Sequence, residues 1–200
     1  FFRFNQLSIK DFDMSYKSIK PEKNFIDAYK KMELKEIKNN NVLINGYFQN
    51  KLYFHEIYNE LTDVLLNENV RNNLKNKIKN IKNLFFIHVR RGDYIGNNLY
   101  EIDYDNYYKN AINNVLKNVS LKVKTFYVLS NDIEYCKSYK VFEEFKDRVE
   151  FIYVEDLDEI ESFYFMTLCK GGITCNSSFS WWASYLNDTI GKKITMPKIW

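Results

Sequence analysis

From residue 84 onward, short apolar runs alternate with stretches whose apolar positions recur every three or four residues. Leu84-Phe85-Phe86-Ile87-His88-Val89 is apolar except for one histidine and predicts a strand buried on both faces. Beyond it Tyr104, Tyr107, Tyr108, Ala111, Ile112, Val115 and Leu116 fall on one side of a helical wheel and predict an amphipathic helix. Phe126-Tyr127-Val128-Leu129 reads as a second strand, followed by Ser130-Asn131-Asp132 and a helical stretch to about Phe145. Residues 149–154 form a third strand, and the acidic segment 155–161 opens a helix that Gly171-Gly172 is expected to stop. Ile173-Thr174-Cys175 is a short fourth strand leading into a helix that carries Trp181-Trp182. Gly191 then turns the chain into a fifth strand, residues 193–196. This alternation predicts a parallel sheet with crossover helices.

The first eighty residues read differently. Lysine- and asparagine-rich amphipathic stretches, roughly 22–38 and 52–79, flank one strand-like run at 42–48. The segment 67–82 reads either as a hinge or as a solvated helix face. A boundary near residue 81 follows, with a partial N-terminal domain at 1–81 and a Rossmann-like domain at 82–200. The chain opens Phe1-Phe2-Arg3-Phe4 and stops just past a strand-like segment, which reads as a fragment of a longer protein.

Composition narrows the class. Hydrophobic residues at 46% and aromatics at 18% supply a core, so the chain is globular. A net charge of +3, with lysines dispersed among 26 acidic residues, argues against a nucleic-acid partner. Cys136, Cys169 and Cys175 have no metal-ligand spacing and read as small buried hydrophobes in a reducing compartment. No apolar run reaches the roughly 18 residues that span a bilayer.

The chemistry-bearing residues gather just past three predicted strands. Only five of the 29 basic residues are arginine, and Arg90 and Arg91 stand side by side at the end of the first strand. A planar guanidinium grips phosphate or carboxylate through paired hydrogen bonds, which lysine cannot do. Asn176-Ser177-Ser178-Phe179-Ser180 lies between a strand and a helix N-terminus, where unpaired N–H groups and hydroxyls make a phosphate or ribose cradle. Helix capping by Ser178 or Ser180 is the simpler reading of the same residues. Asp132 has a similar strand-to-helix position and is a candidate nucleobase or sugar contact, with a helix cap again the simpler alternative. Convergence of three such clusters favours a nucleotide or nucleotide-sugar site. No glycine-rich dinucleotide fingerprint or Walker lysine loop is present, so hydride transfer and ATP hydrolysis lose support.

At these residues the sequence resembles the α-1,2-fucosyltransferases of glycosyltransferase family 11. The likeness is carried by His88-Val89-Arg90-Arg91-Gly92-Asp93-Tyr94, by Ser130-Asn131-Asp132 through Lys137, and by 166–187 with its Asn176-Ser177-Ser178-Phe179-Ser180-Trp181-Trp182-Ala183 run. Gly46-Tyr47-Phe48-Gln49 with Tyr53-Phe54 is similar to a further family segment. Departures are Asn131, Tyr135, Gly171 and Cys175, and a missing N-terminal glycine-rich loop.

The resemblance implies an α/β, GT-B-like architecture: a Rossmann-like donor domain with part of an N-terminal acceptor domain. It implies an inverting, metal-independent transfer of fucose from GDP-fucose to the 2-hydroxyl of a galactoside in a cell-surface glycan, without a cofactor. Arg90 is the expected catalytic residue, balancing charge on the departing diphosphate. His88, Arg90, Arg91, Asp132, Asn176, Ser177, Ser178 and Ser180 are the expected donor contacts, and Asp93 is expected to hold the loop by pairing with an arginine. The expected partners are GDP-fucose and a galactose-containing glycan. The expected location is cytoplasmic, at or near the inner face of a membrane. A non-catalytic nucleotide-sugar- or carbohydrate-binding homologue is the alternative.

Overall fold

A computed structural model describes residues 16–19, 41–44, 55–98, 100–118 and 123–198. The chain divides into two compact units, residues 1–50 and 51–200. In the first, β1 (Tyr16–Ile19) and β2 (Asn41–Ile44) pair in parallel, with Tyr16 opposite Asn41. The stretch expected to be helical at 22–38, and the motif segment 46–54, lie outside the described residues.

The second unit runs α1 (Tyr58–Leu65), α2 (Glu68–Lys77), β3 (Phe85–Val89), α3 (Tyr104–Asn118), β4 (Thr125–Ser130), α4 (Ile133–Lys137), α5 (Lys140–Glu143), β5 (Glu150–Tyr153), α6 (Glu159–Leu168), β6 (Gly171–Ile173), α7 (Ser178–Leu186) and β7 (Lys193–Thr195). Its five strands form one parallel sheet in the order β5-β4-β3-β6-β7. Every residue of the central β3 is buried, because helices cover both faces. Phe85, Ile87 and Val89 pack with Tyr108, Ile112 and Val115 of α3 and with Phe142 of α5. Phe86 points the other way, to Phe165 and Met166 of α6 and Leu186 of α7. The period of two along a strand thus divides one apolar run between two cores.

Several sequence readings change. Gly171 and Gly172 do not stop α6; they open β6, two residues ahead of the expected fourth strand. A Cβ at Gly171 would sit 2.4 Å from the Lys193 carbonyl oxygen and from the Phe85 ring, and one at Gly172 would meet Phe86 at 2.3 Å. They are glycines because flanking strand and rings come too close for a side chain. The helix instead ends before Cys169, and it begins not at Glu155 but after Asp158, which forms a reciprocal capping box with Glu161.

The single helix expected to run to Phe145 is two, broken at Ser138 and Tyr139. The Ser138 hydroxyl bonds back to the Tyr135 carbonyl at 3.2 Å, and Tyr139 turns extended. Segment 67–82 is no linker. Asn67 caps α2, and Leu74 and Arg71 are buried, the arginine bonded to Glu68 and to Asp188 beyond α7. The helices before residue 82 therefore belong to the same compact unit as the sheet.

Candidate active site

The chain enters the sheet at β3, adds β4 and β5 on one side, then crosses back to place β6 and β7 on the other. This reversal opens a crevice between the carboxyl ends of β3 and β6, where open α/β sheets bind ligands. Val89 lies opposite Ser130 and Ile87 opposite Ile173, so the segments after β4, β3 and β6 emerge at one level. The three polar clusters therefore share one edge.

Past β3 the chain turns at Gly92, whose φ of +64° suits glycine, and a Cβ there would come 2.8 Å from Asn131 Nδ2. Asn131 Oδ1 accepts a hydrogen bond from the Arg91 backbone N–H at 2.8 Å and so holds this turn to the end of β4. The two arginines diverge. Arg90 donates Nε and Nη2 to Asp93. The Arg91 guanidinium carbon lies 3.5 Å from the centroid of the Tyr135 ring, and its Nε is 3.7 Å from Asp132. That Nε is buried without a hydrogen-bond partner. Both guanidiniums border a cavity of about 190 Å³ lined also by Tyr94, Tyr104, Tyr135 and Tyr139. Drug-sized ligands fill roughly 300–1,000 Å³, so a nucleotide sugar here would also occupy the open sheet edge.

The other predicted residues fall into two layers. Ser178 is exposed and Asp132 half-buried at that edge. His88, Asn176, Ser177 and Ser180 are between 0% and 5% exposed and lie beneath it. Asp132 caps α4 by accepting the Tyr135 N–H at 3.1 Å while its other oxygen faces Arg91. The N-cap of α7 is neither Ser178 nor Ser180 but Ser177, and its side chain makes no capping bond. The helix therefore turns an uncapped N-terminus toward the edge that carries the arginines, an arrangement suited to an anion.

Burial, with the Arg90 charge adding to it, lowers the His88 pKa to about 3, so the ring is neutral. Burial also pushes the Cys175 thiol up to about 11. The protonated Cys175 thiol lies 3.3 Å from His88 Nδ1, and the tautomer of the neutral ring sets which of the two donates. All three cysteines are buried and unpaired.

Sequence reasoning missed the tyrosine hydroxyls. It counted Tyr104, Tyr107 and Tyr108 as one apolar helix face, yet each hydroxyl grips a strand end: Tyr104 donates to Asn176 Oδ1 at 2.8 Å, Tyr107 to the Thr174 carbonyl at 2.6 Å and Tyr108 to the His88 carbonyl at 2.8 Å. A helical face built from tyrosine rather than leucine is the signal that could have pointed to them, since a buried tyrosine hydroxyl needs a partner. Among the described residues, no three His, Cys, Asp or Glu side chains gather as metal ligands. Asp158 is spent on the α6 cap, and Asp156 pairs with Lys77.

The sequence profile of glycosyl transferase family 11 matches residues 5–199. An Escherichia coli protein named alpha-1,2-colitosyltransferase is 33% identical over 158 residues, 72% of this chain and 50% of that relative. The Escherichia coli O-antigen biosynthesis glycosyltransferase WbnK is 29% identical over 122 residues, 57% of this chain and 38% of its own. The chain thus spans half or less of the length of these relatives. Among solved structures, POFUT1 in complex with GDP aligns over 88% of this chain and 60% of its own, with a TM-score of 0.54 and 15% identity. POFUT1 in complex with GDP-fucose aligns over the same shares with a TM-score of 0.53 and 17% identity. At such identity the likeness is one of fold, a Rossmann-like parallel sheet of the GT-B type.

Proposed function

The chain belongs to glycosyl transferase family 11, and from that premise we propose that the intact protein moves fucose from GDP-fucose to the 2-hydroxyl of a galactoside in a surface glycan, with inversion at the anomeric carbon. The observation that carries the reading is the pair of arginines just past β3, with Arg91 beside Asp132, on the same sheet edge as the uncapped N-terminus of α7. In this reading the donor domain is residues 82–200 with α1 and α2 packed onto it, and the rest of 1–81 belongs to the acceptor side.

As the acceptor oxygen attacks the anomeric carbon, the glycosidic C–O bond breaks and negative charge collects on the β-phosphate of GDP. Arg90, which reaches the crevice from the first residue past β3, is the proposed partner of that charge, with Arg91 second. A fixed guanidinium there binds the departing diphosphate more strongly than the intact donor, which lowers the barrier. Ser178 with the α7 N-terminus takes the phosphates in this scheme, Ser177 and Ser180 shape that turn from beneath, and Asp132 faces the nucleoside. His88 and Asn176, being buried, act from beneath by shaping the loops. Two guanidiniums beside the diphosphate supply the positive charge a divalent cation would otherwise bring, so we propose turnover without metal or cofactor.

We propose action in the reducing cytoplasm at the inner face of a membrane, a setting with which the three unpaired cysteines agree. Cell fractionation tests that placement.

The deciding experiment incubates the full-length protein with GDP-fucose and a galactoside acceptor and determines the product linkage by NMR. An α-1,2-linked product formed with excess chelator present is expected. GDP binding without transfer to any galactoside would favour a non-catalytic homologue. A parallel arm with GDP-colitose, the 3-deoxy analogue, is warranted by the relative named for that sugar. Transfer of colitose but not fucose would change the donor and keep the chemistry.

A further inference from the structure

Asn176 joins the two halves of the candidate site. Its Oδ1 accepts from the Tyr104 hydroxyl at 2.8 Å, its Nδ2 donates to the Tyr100 carbonyl at 3.0 Å, and its own carbonyl accepts from the Tyr94 hydroxyl at 3.1 Å. Three anchors on one 4%-exposed residue thus tie the segment from Tyr94 to Tyr104 onto the end of β6. The Tyr94 and Tyr100 rings stack with centroids 4.4 Å apart, which closes the loop on itself. Upstream, that segment begins immediately after Arg90-Arg91-Gly92-Asp93; downstream, Asn176 is followed directly by Ser177. Tyr108, one turn past Tyr104, holds the last turn of β3 through the His88 carbonyl.

We propose that Tyr94, Tyr104 and Asn176 form a positioning clamp that sets the distance between the arginine loop and the serine turn, so that one diphosphate is gripped from both sides at once. The proposal rests on the GDP-donor reading of the site. None of the three need touch the donor. Two anion-binding elements on separate loops gain from each other only if their spacing matches the ligand's, and a mismatch near 1 Å forfeits most of that gain. Burial holds the Tyr104 hydroxyl up at about 12, so it remains a donor across the working pH range. Asn176 cannot serve as a direct donor contact without releasing the loop, since both side-chain groups are already engaged.

The test is a comparison of GDP with GMP by titration calorimetry on the full-length protein. GMP reaches one element and GDP both, so their affinity ratio reports the spacing. Tyr104→Phe deletes one hydroxyl and keeps the ring; it is expected to shrink the GDP preference about five-fold, the worth of one internal hydrogen bond, while GMP affinity stays at the wild-type value. In transfer assays kcat falls and the acceptor KM does not. If Tyr104→Phe unfolds, Tyr94→Phe, half-buried and outside the helix, carries the same expectation. A GDP-to-GMP ratio unchanged in both variants, with wild type preferring GDP, overturns the clamp and leaves the donor reading standing. Wild-type protein that binds GDP and GMP equally overturns both.

Discussion

Arg90 donates two hydrogen bonds, from Nε at 3.1 Å and Nη2 at 2.8 Å, to a single carboxylate oxygen of Asp93. Its neighbour Arg91 turns the opposite way, onto Tyr135 and Asp132. The split arises as the chain leaves β3, where Arg91 departs from strand geometry (φ −123°, ψ −143°) on its way into the Gly92 turn. The arginines are thus held by different partners on different loops, and each can be removed without disturbing the other's anchor.

Arg90→Lys keeps the charge and loses the fork. Turnover by the full-length protein is expected to fall about a hundredfold, as when one well-placed oxyanion donor is removed. Stability is expected to stay within about 0.5 kcal/mol, because the Arg90–Asp93 pair is solvent-exposed. Steady-state kinetics on Arg90→Lys and Arg91→Lys side by side decide the assignment: loss in the second alone would transfer the role to Arg91.

His88 makes stability fall with acid. Its folded pKa of about 3 lies below the unfolded value near 6.5, so between them the unfolded chain binds a proton that the folded one refuses. The stabilisation is whole above pH about 6.5 and drains as pH falls toward 3, at a slope approaching about 1.4 kcal/mol per pH unit. Urea unfolding at pH 7.5, 6 and 5 measures it. His88→Gln is expected to flatten the slope across this range, and equal slopes in both proteins would contradict the buried neutral ring.

The strand-end clusters were legible because their residues are chemically unusual where they stand: a doubled arginine in a chain that otherwise uses lysine, and small polar residues between a strand and a helix. Strand order was not. The crossing from β5 back to β6, which brings the end of β6 beside the end of β3, depends on contacts across the sheet that leave no local pattern. Gly171 and Gly172 misled for a related reason. After an apolar helical stretch glycine reads as a stop, and only the Phe85 and Phe86 rings facing them from the neighbouring strand reveal the close approach. The tyrosines of α3 were placed on the right face with the wrong purpose, since periodicity reports burial and cannot see where a hydroxyl points.

Gly171→Ala separates those two accounts of the glycine pair. A helix-stop glycine in the left-handed conformation with open space at its Cβ would lose only about 1 kcal/mol to alanine. A strand glycine whose Cβ would press on the Lys193 carbonyl oxygen at 2.4 Å forces β6 and β7 apart, costing about 2–3 kcal/mol or more. Chemical denaturation of the variant reads this directly, and a loss below 1 kcal/mol would count against the strand packing.

Asn187 closes the motif segment that begins at Met166, yet it lies at the far end of α7 from the serine turn. It is 1% exposed, and its Nδ2 donates to the carbonyls of Met166 at 2.9 Å and Cys169 at 2.8 Å while its Oδ1 accepts from the Thr189 N–H at 2.8 Å. One amide thereby satisfies carbonyls left over at the carboxyl end of α6 and fixes the turn that follows α7. Asn187→Ala strands those buried groups, so a stability loss of about 2–4 kcal/mol is expected. Its effect on the donor should be small: at a temperature where the variant is folded, GDP affinity is expected to stay within about twofold of wild type. Calorimetric titration beside a melting curve tests both halves, and a tenfold loss of GDP affinity in the folded variant would place Asn187 in the site's machinery instead of its scaffold.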